Sequence, residues 1–475
     1  MMKAIIFSPE IYYLLASLWF VALSIMPRLK SRGKYLSALS LAGAGVVICL
    51  ISIRLEGSLF FNAYQVDFFS QLFKVLLSLG LFLVICLCPN LTAIKAQYHP
   101  EFYLLLFMCT LAMMLLVSSV HLLTIYVALE LSSYSLYILV ALKRGRGLGI
   151  EAGIKYFLVG ISASALMVFG LALLYGTTQA TYLKDITAVI PAVMANPAVM
   201  LGLLLALSGF FFKLAIFPFH FWAPDVYQGA ANQVTAYIAT ASKVAAIALL
   251  VRMVALTGRI EANTYLVHVL VTLSIVSMTV GNLAAIVQKD INRLLAYSTV
   301  AHAGYVSIGI LSMNPTGYSS AIFYAVALLL MKYTAFLVVV KVTDDNRNLQ
   351  IDQLAGLHQR SPLLAMALMV SIFSLAGIPP TIGFTGKLFV FVAAMERGYF
   401  TLVLIAMINV VISLYYYLLV IKAAYLTEPD KEMPELRISP AIKVLSGALI
   451  AAIVTVGIFP TYVLRLAEAA SRALM

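Results

Sequence analysis

Four ionisable residues stand inside apolar runs of this chain. Glu130 lies in IYVALELSSYSLYIL, Lys213 in SGFFFKLAIFPFHFW, Lys243 in YIATASKVAAIALL and Lys387 in GFTGKLFVF. Three more share the setting less centrally: His302 in AYSTVAHAGYVSIG, Lys332 in ALLLMKYTAFLV, and Lys155 near the start of another apolar run. A charge at the centre of a bilayer costs about 2.5–3.5 kcal/mol on insertion scales, so each such residue points to ion or proton transfer. Lysine suits that chemistry, because a desolvated ammonium releases its proton more readily and a nearby carboxylate holds it on. At an effective dielectric of about 20, a charge pair about 4 Å apart is worth about 4 kcal/mol. Moving Glu130 toward or away from Lys213 would then load or discharge the lysine.

Plainer readings stand beside these. Lys155 can snorkel to the membrane surface. His302 can be a core histidine bonded to a carbonyl, and His220 and Asp225 can cap a helix end. Lys74 follows Asp67 by seven residues and can pair with it or snorkel.

The elements that carry these residues are membrane helices. Of 475 residues, 63% are hydrophobic and 11% charged, whereas soluble domains sit near one half and one quarter. The net charge of +12 comes from basic residues scattered between apolar spans. Without a basic stripe they fit loops facing an anionic leaflet, and nucleic acid is not expected. Cys49, Cys86, Cys88 and Cys109 all lie in apolar runs without metal or disulfide spacing, and read as packing residues. The N-terminal run is too long and lacks the cleavage pattern of a signal peptide, so it reads as a retained first span.

At roughly 20 residues per crossing, about fourteen spans follow, near 9–27, 35–53, 67–88, 101–119, 122–141, 152–176, 198–221, 231–256, 264–286, 291–313, 318–342, 362–395, 399–426 and 440–468. The seventh contains Pro218. The twelfth, too long for one straight span, contains Gly377-Ile-Pro-Pro380, then Gly383 and Gly386. Proline removes a donor and clashes with the preceding turn, so both helices should break. Broken helices five spans apart point to two inverted five-helix units, spans 4–8 and 9–13. The expected fold is all-α integral membrane: an N-terminal three-helix segment (1–100), a first unit (101–256), an inverted second unit (264–426) and a C-terminal helix (427–475). Odd-numbered loops hold most of the basic residues, among them Arg28, Lys30, Lys143, Arg144, Arg146, Lys289, Arg293, Arg347 and Lys431. Even loops and termini hold fewer, such as Lys3, Arg252, Arg259 and Arg397. By the positive-inside rule both termini face outward.

Four motifs, FPFHFWAPDVYQGA (217–230), TASKVAA (240–246), INRLLAYSTVAHAGY (291–305) and SLAGIPPTIGFTGK (374–387), closely resemble the antiporter-like, proton-translocating membrane subunits of bacterial respiratory complex I. The resemblance runs over most of the chain and is strongest from about 101 to 425. VYQGA favours the N type over its L and M paralogues. Lys387 does too, since M subunits carry a glutamate there, and L subunits continue into a long lateral helix beyond the fourteenth span. The resemblance implies that Glu130 and Lys213 form the glutamate–lysine pair of a first half-channel. It makes Lys243 the central connecting lysine, Lys387 the lysine near the outward exit, and His302 part of the hydrated axis. It implies a subunit of proton-translocating NADH–quinone oxidoreductase in the bacterial inner membrane, without a redox centre of its own. NADH, FMN, iron–sulfur clusters and quinone would belong to partner subunits, and the neighbours would be an M-type subunit and the small K- and J-type subunits. A multi-subunit cation/proton antiporter, or a related membrane-bound hydrogenase or dehydrogenase, is the alternative. GAANQVTAY (229–237) departs from the family's GAPxPVTAF and puts the seventh-to-eighth connection in question. Lys332 has no family counterpart to carry over; it reads as an extra polar group of the second half-channel.

Overall fold

The computed structural model describes residues 5–26, 29–143, 147–194, 196–257, 264–343, 348–429 and 435–474. The orientation reading also drew on Lys3, Arg28, Arg144, Arg146, Arg259, Arg347 and Lys431, which lie outside the described residues.

All fourteen expected spans carry helices, but the fourteenth, expected to reach 468, ends at Ile458 before Pro460, and a separate helix follows at Thr461–Arg472. The fourteen are α1 (Ser8–Ile25), α2 (Ser31–Ile51), α3 (Phe68–Cys86), α4 (His99–Ser118), α5 (Leu122–Ala141), α6 (Leu148–Thr178), α7 (Pro197–Leu214, resuming as Trp222–Gly229), α8 (Asn232–Ala239, then Ala241–Thr257), α9 (Thr264–Ile286), α10 (Ile291–Leu311), α11 (Pro315–Val342), α12 (Pro362–Ala376, then Ile382–Glu396), α13 (Phe400–Leu426) and α14 (Pro440–Ile458). Thirteen stretches among the described residues are long and apolar enough to cross a membrane, and the divided α12 makes the fourteenth crossing. α8, α10 and α11 are buried along nearly their whole length. Side chains such as Ile51, Phe169, Val411 and Val444 point outward from the peripheral helices, forming an apolar belt that suits lipid.

Loops 1 and 3 meet at one end of the bundle, here the basic end, where Lys34 Nζ donates to Ala96 O, and loops 2, 4 and 6 meet at the other, here the terminal end, where Tyr64 pairs with Ser119 and His121 with Tyr182. A short hairpin of β1 (Gly57–Leu59) and β2 (Tyr64–Val66) covers the terminal end between α2 and α3.

The two expected breaks occur where proline sterics place them. A proline ring clashes with the carbonyl four residues earlier. Pro218 thus ends the first half of α7 at Leu214, where Ala215 turns left-handed at φ 62° and Ile216 N–H bonds back to Phe211 O at 2.9 Å. Pro380 likewise ends α12 at Ala376, with Gly377 at φ 87° and Ile378 N–H on Phe373 O at 2.9 Å. Gly377 meets a real requirement here, since its φ is left-handed and an added Cβ would sit 3.0 Å from Lys387 Cδ. A third break, in α8 at Thr240 (φ −114°, ψ −87°), has no proline or glycine to announce it. The connection from α7 to α8 is a tight Ala230–Ala231 link. Asn232 occupies the family's proline region and ties it down, donating to Thr343 Oγ1 at 3.0 Å while accepting from Asn292 at 2.9 Å.

Candidate functional site

Each break delivers a lysine to the middle of the bundle. Lys213 stands in the last turn before the α7 break, is 2% exposed, and places Nζ 2.6 Å from Ser132 Oγ and 3.3 Å from Ser133 Oγ on α5. Its backbone carbonyl is released by the break and accepts from Lys243 Nζ at 2.7 Å. Lys243, three residues past the α8 break, also sits 4.8 Å over the Trp222 ring. Trp222 is fixed by its indole N–H on Phe212 O at 3.1 Å and by stacking on Tyr156 at 4.4 Å. So α5, both halves of α7, and α8 together hold two buried lysines, one of them bonded to the other's backbone carbonyl.

Among the described residues no ion pair joins Glu130 to Lys213. Glu130 points to α6, where Ser164 donates to its Oε1, and the two serines of α5 take the Lys213 ammonium instead. The cause is helical register. Ser132 and Ser133, two and three residues on, lie nearer the Lys213 side than Glu130 does. Glu130 remains within electrostatic reach of Lys213.

The second unit repeats the lysine–serine arrangement with a different donor. Lys332 on α11, fully buried, donates to Leu295 O at 2.9 Å and to Ser298 Oγ, both on α10. It lies within electrostatic reach of Lys243 on one side and His302 on the other. His302 bonds through Nδ1 to the Tyr324 hydroxyl at 2.7 Å and through Nε2 to the Tyr417 hydroxyl at 3.3 Å, rather than to a carbonyl. Lys387, five residues into the second half of α12, donates to Leu375 O at 2.9 Å and Ala376 O at 2.8 Å, the last carbonyls before the break, and lies 5.0 Å over Tyr305. α11, which carries Lys332, packs against both α8 and the second half of α12, and Tyr305 lies 5.9 Å from the His302 ring and 5.0 Å under Lys387 Nζ, so the order along the bundle is Glu130, Lys213, Lys243, Lys332, His302, Lys387. Lys332→Met is expected to lower proton pumping several-fold while the complex still assembles, because Lys332 stands between Lys243 and His302 in this order. Unchanged pumping would remove Lys332 from the line.

Lys155 stands apart. Its side chain is 47% exposed at the basic end, where it pairs with Glu151 and Asp225, each at 2.8 Å. Asp225 does not cap its helix as expected. It bridges Lys155 on α6 to Arg293 on α10 at 2.7 Å, clasping the two units together. Burial would raise the Asp225 carboxyl, but the hydrogen bonds from Lys155 and Arg293 outweigh it and hold the group below the usual carboxylate range. His220 is buried between the rings of Phe217 and Phe221.

Two further buried pairs correct the Asp67–Lys74 expectation. Lys74 pairs with Glu10 of α1 at 2.7 Å, and Asp67 receives both guanidinium nitrogens of Arg252 at 2.8 and 2.9 Å. Arg252, counted above with the loop residues, is an interior residue of α8. Glu10 and Arg252 were missed because each lies near the end of its span, where a charge ordinarily meets water.

Broken helices and a line of buried lysines define an antiporter-like membrane unit that translocates ions. Residues 119–413 match the family described as NADH:quinone oxidoreductase/Mrp antiporter, transmembrane, and the chain belongs to that family. It is 64% identical over 469 residues (99% of each chain) to NADH-quinone oxidoreductase subunit N 2 of Syntrophobacter fumaroxidans. It is 38% identical over 438 residues (92% of this chain, 91% of the relative) to NADH-quinone oxidoreductase subunit N of Nitrosomonas europaea. A chain in the structure of respiratory complex I from Thermus thermophilus superposes with TM-score 0.84 at 34% identity, covering 97% of this chain and 99% of that one. A chain of the Mrp complex from Dietzia sp. shares the fold, with TM-score 0.87 at 21% identity over 100% of this chain and 97% of that one.

Proposed function

We propose that the chain is a proton-translocating membrane-arm subunit of NADH–quinone oxidoreductase, and that Glu130, Lys213, Lys243, Lys332, His302 and Lys387 are its proton-carrying groups. The observation that carries this reading is the line itself: four lysines and a histidine, all buried, spaced through both units, each ammonium held by serine hydroxyls or carbonyls freed at a helix break. Neutral oxygen ligands accept from an ammonium without neutralising it. Each lysine can therefore pass its proton on when a neighbouring charge changes, which a tight ion pair would resist. Glu130 biases Lys213 through space. Lys243 Nζ bonds the Lys213 backbone carbonyl, and two like charges so placed in a buried site disfavour each other, so protonating one favours discharging the other. Lys332 and His302 continue that alternation into the second unit, and Lys387 is its last member.

The N-terminal segment (1–100), the first unit (101–256), the inverted second unit (264–426) and the C-terminal helix (427–475) are the working divisions. The basic end faces the cytoplasm of a bacterial inner membrane and both termini face outward. Lys155 belongs to the clasp with Asp225 and Arg293, where its two carboxylate partners keep it charged, and it is not a member of the proton-carrying line. NADH oxidation, FMN, iron–sulfur clusters and quinone reduction reside in partner subunits, and an M-type subunit and the K- and J-type subunits flank this chain. Their redox energy reaches the line as shifts in charge and hydration.

Gentle detergent purification through a tag on this chain tests the assignment. Flavin and iron–sulfur absorbance, with NADH–quinone activity, is the expected result. A heteromer of membrane subunits without chromophore would overturn the assignment in favour of a cation/proton antiporter.

A further inference from the structure

A second polar tract lies off this line, in the N-terminal segment. On α3, Asp67, Gln71, Lys74 and Ser78 follow one another at four-, three- and four-residue steps, so they form one stripe. The stripe runs about 16 Å inward from the terminal end at ~1.5 Å per residue. Asp67 holds Arg252 of α8, and Lys74 holds Glu10 of α1 at 2.7 Å. Ser78 bonds the Tyr13 hydroxyl at 2.6 Å, and the Tyr64 hydroxyl donates to Glu10 Oε1 at 2.7 Å from the hairpin above.

Two features separate this tract from a structural clamp. The first is how poorly it is satisfied. Glu10 Oε2, Gln71 Oε1 and Arg252 Nε are all buried, and none has a hydrogen-bond partner among the described residues. Buried polar atoms in folded proteins are almost always satisfied, by protein or by water, so a cluster of orphans marks a tract built for water. The second is where it leads. Tyr13 packs on the Phe107 ring of α4 at 5.7 Å, and the Tyr237 hydroxyl reaches the same turn, donating to Leu106 O at 3.4 Å. The Tyr237 hydroxyl bonds Thr110 at 2.6 Å, and the adjacent Cys109 bonds Ser132 O at 3.3 Å. Ser132 is the residue that holds Lys213.

We propose that Glu10 and Lys74 form a further protonatable site, the exchange point of a hydrated branch between the Lys213 site and the terminal end. This rests on the proton-translocating reading above. In the step, the Lys74 ammonium gives its proton to the Glu10 carboxylate across their contact, leaving two neutral groups. The Glu10 carboxyl then loses that proton to water toward the terminal end. Lys74 regains a proton from the Lys213 side, which restores the pair.

The test uses the whole complex reconstituted in vesicles, reading NADH oxidation and proton transport together. Glu10→Gln with Lys74→Met removes both charges and keeps both shapes, a change a structural pair tolerates well. The branch predicts that protons moved per NADH oxidised fall at least about twofold, as expected for loss of a proton-transfer pair. Wild-type transport by this double variant overturns it. Lys213→Ala in the same preparation separates the two readings: if it too transports normally, the function assigned to the main line fails as well. If the double variant does not assemble, Glu10→Asp keeps the charge and the pair. The branch then predicts that the carboxyl band in the redox-induced infrared difference spectrum moves or vanishes with Glu10→Asp, and an unchanged spectrum overturns the proposal.

Discussion

Lys213→Ala is expected to lower coupled NADH–quinone turnover by about 10²-fold, the lower end of what a positioned proton-transfer group contributes, in a complex that still assembles. Lys213 sits at the junction of three elements. Its ammonium rests on Ser132 and Ser133, its carbonyl receives Lys243, and Glu130 acts on it from the same helix as the serines. Alanine keeps the left-handed exit at Ala215 and the Lys243 contact, because both depend on backbone atoms. The loss therefore falls on proton transfer and not on the fold. Lys213→Arg should do no better. Its guanidinium does not release a proton near neutral pH, so it would hold a fixed charge beside Lys243. Turnover measured on purified complex of wild-type subunit content decides this, and an arginine variant as active as wild type would show that charge alone suffices.

Arg252→Met is expected to destabilise the subunit by about 3–5 kcal/mol, the cost of leaving one member of a buried ion pair alone. The Asp67 carboxylate would lose both guanidinium bonds while staying buried at the start of α3. Asp67 also caps that helix, accepting from Ser70 N–H at 2.7 Å. The pair therefore fastens the N-terminal segment to α8, the helix that carries Lys243. Adding Asp67→Asn to Arg252→Met should recover most of the loss, since asparagine still caps and no charge remains unpaired. Heat-induced loss of this chain from the solubilised complex reports both effects. A single variant as heat-stable as wild type would contradict the account.

The spans, the α7 and α12 breaks and the buried lysines were legible because each has a local cause. Twenty-residue apolar runs, Pro218 and Gly377-Ile-Pro-Pro380 act on their own segments whatever surrounds them. The α8 break at Thr240 was not legible, because no residue there dictates it. Cross-helix register was hidden for the same reason. The sequence places Glu130 on α5 and Lys213 on α7, but only packing shows that Ser132 and Ser133 face the lysine and Ser164 the glutamate. The seven-residue spacing from Asp67 to Lys74 identified a real polar face of α3. Their partners, Arg252 and Glu10, are 185 and 64 positions away in the chain. Lys332 was visible as a buried charge, yet its place between Lys243 and His302 came only from how α11 lies against α10.

The central claim is that protons pass along these buried side chains, and the rate of NADH-driven vesicle acidification by the reconstituted Lys213→Ala complex tests it most directly. The account predicts that acidification collapses together with NADH oxidation while subunit content, flavin and iron–sulfur signals stay at wild-type level. Wild-type acidification by that fully assembled variant would contradict it.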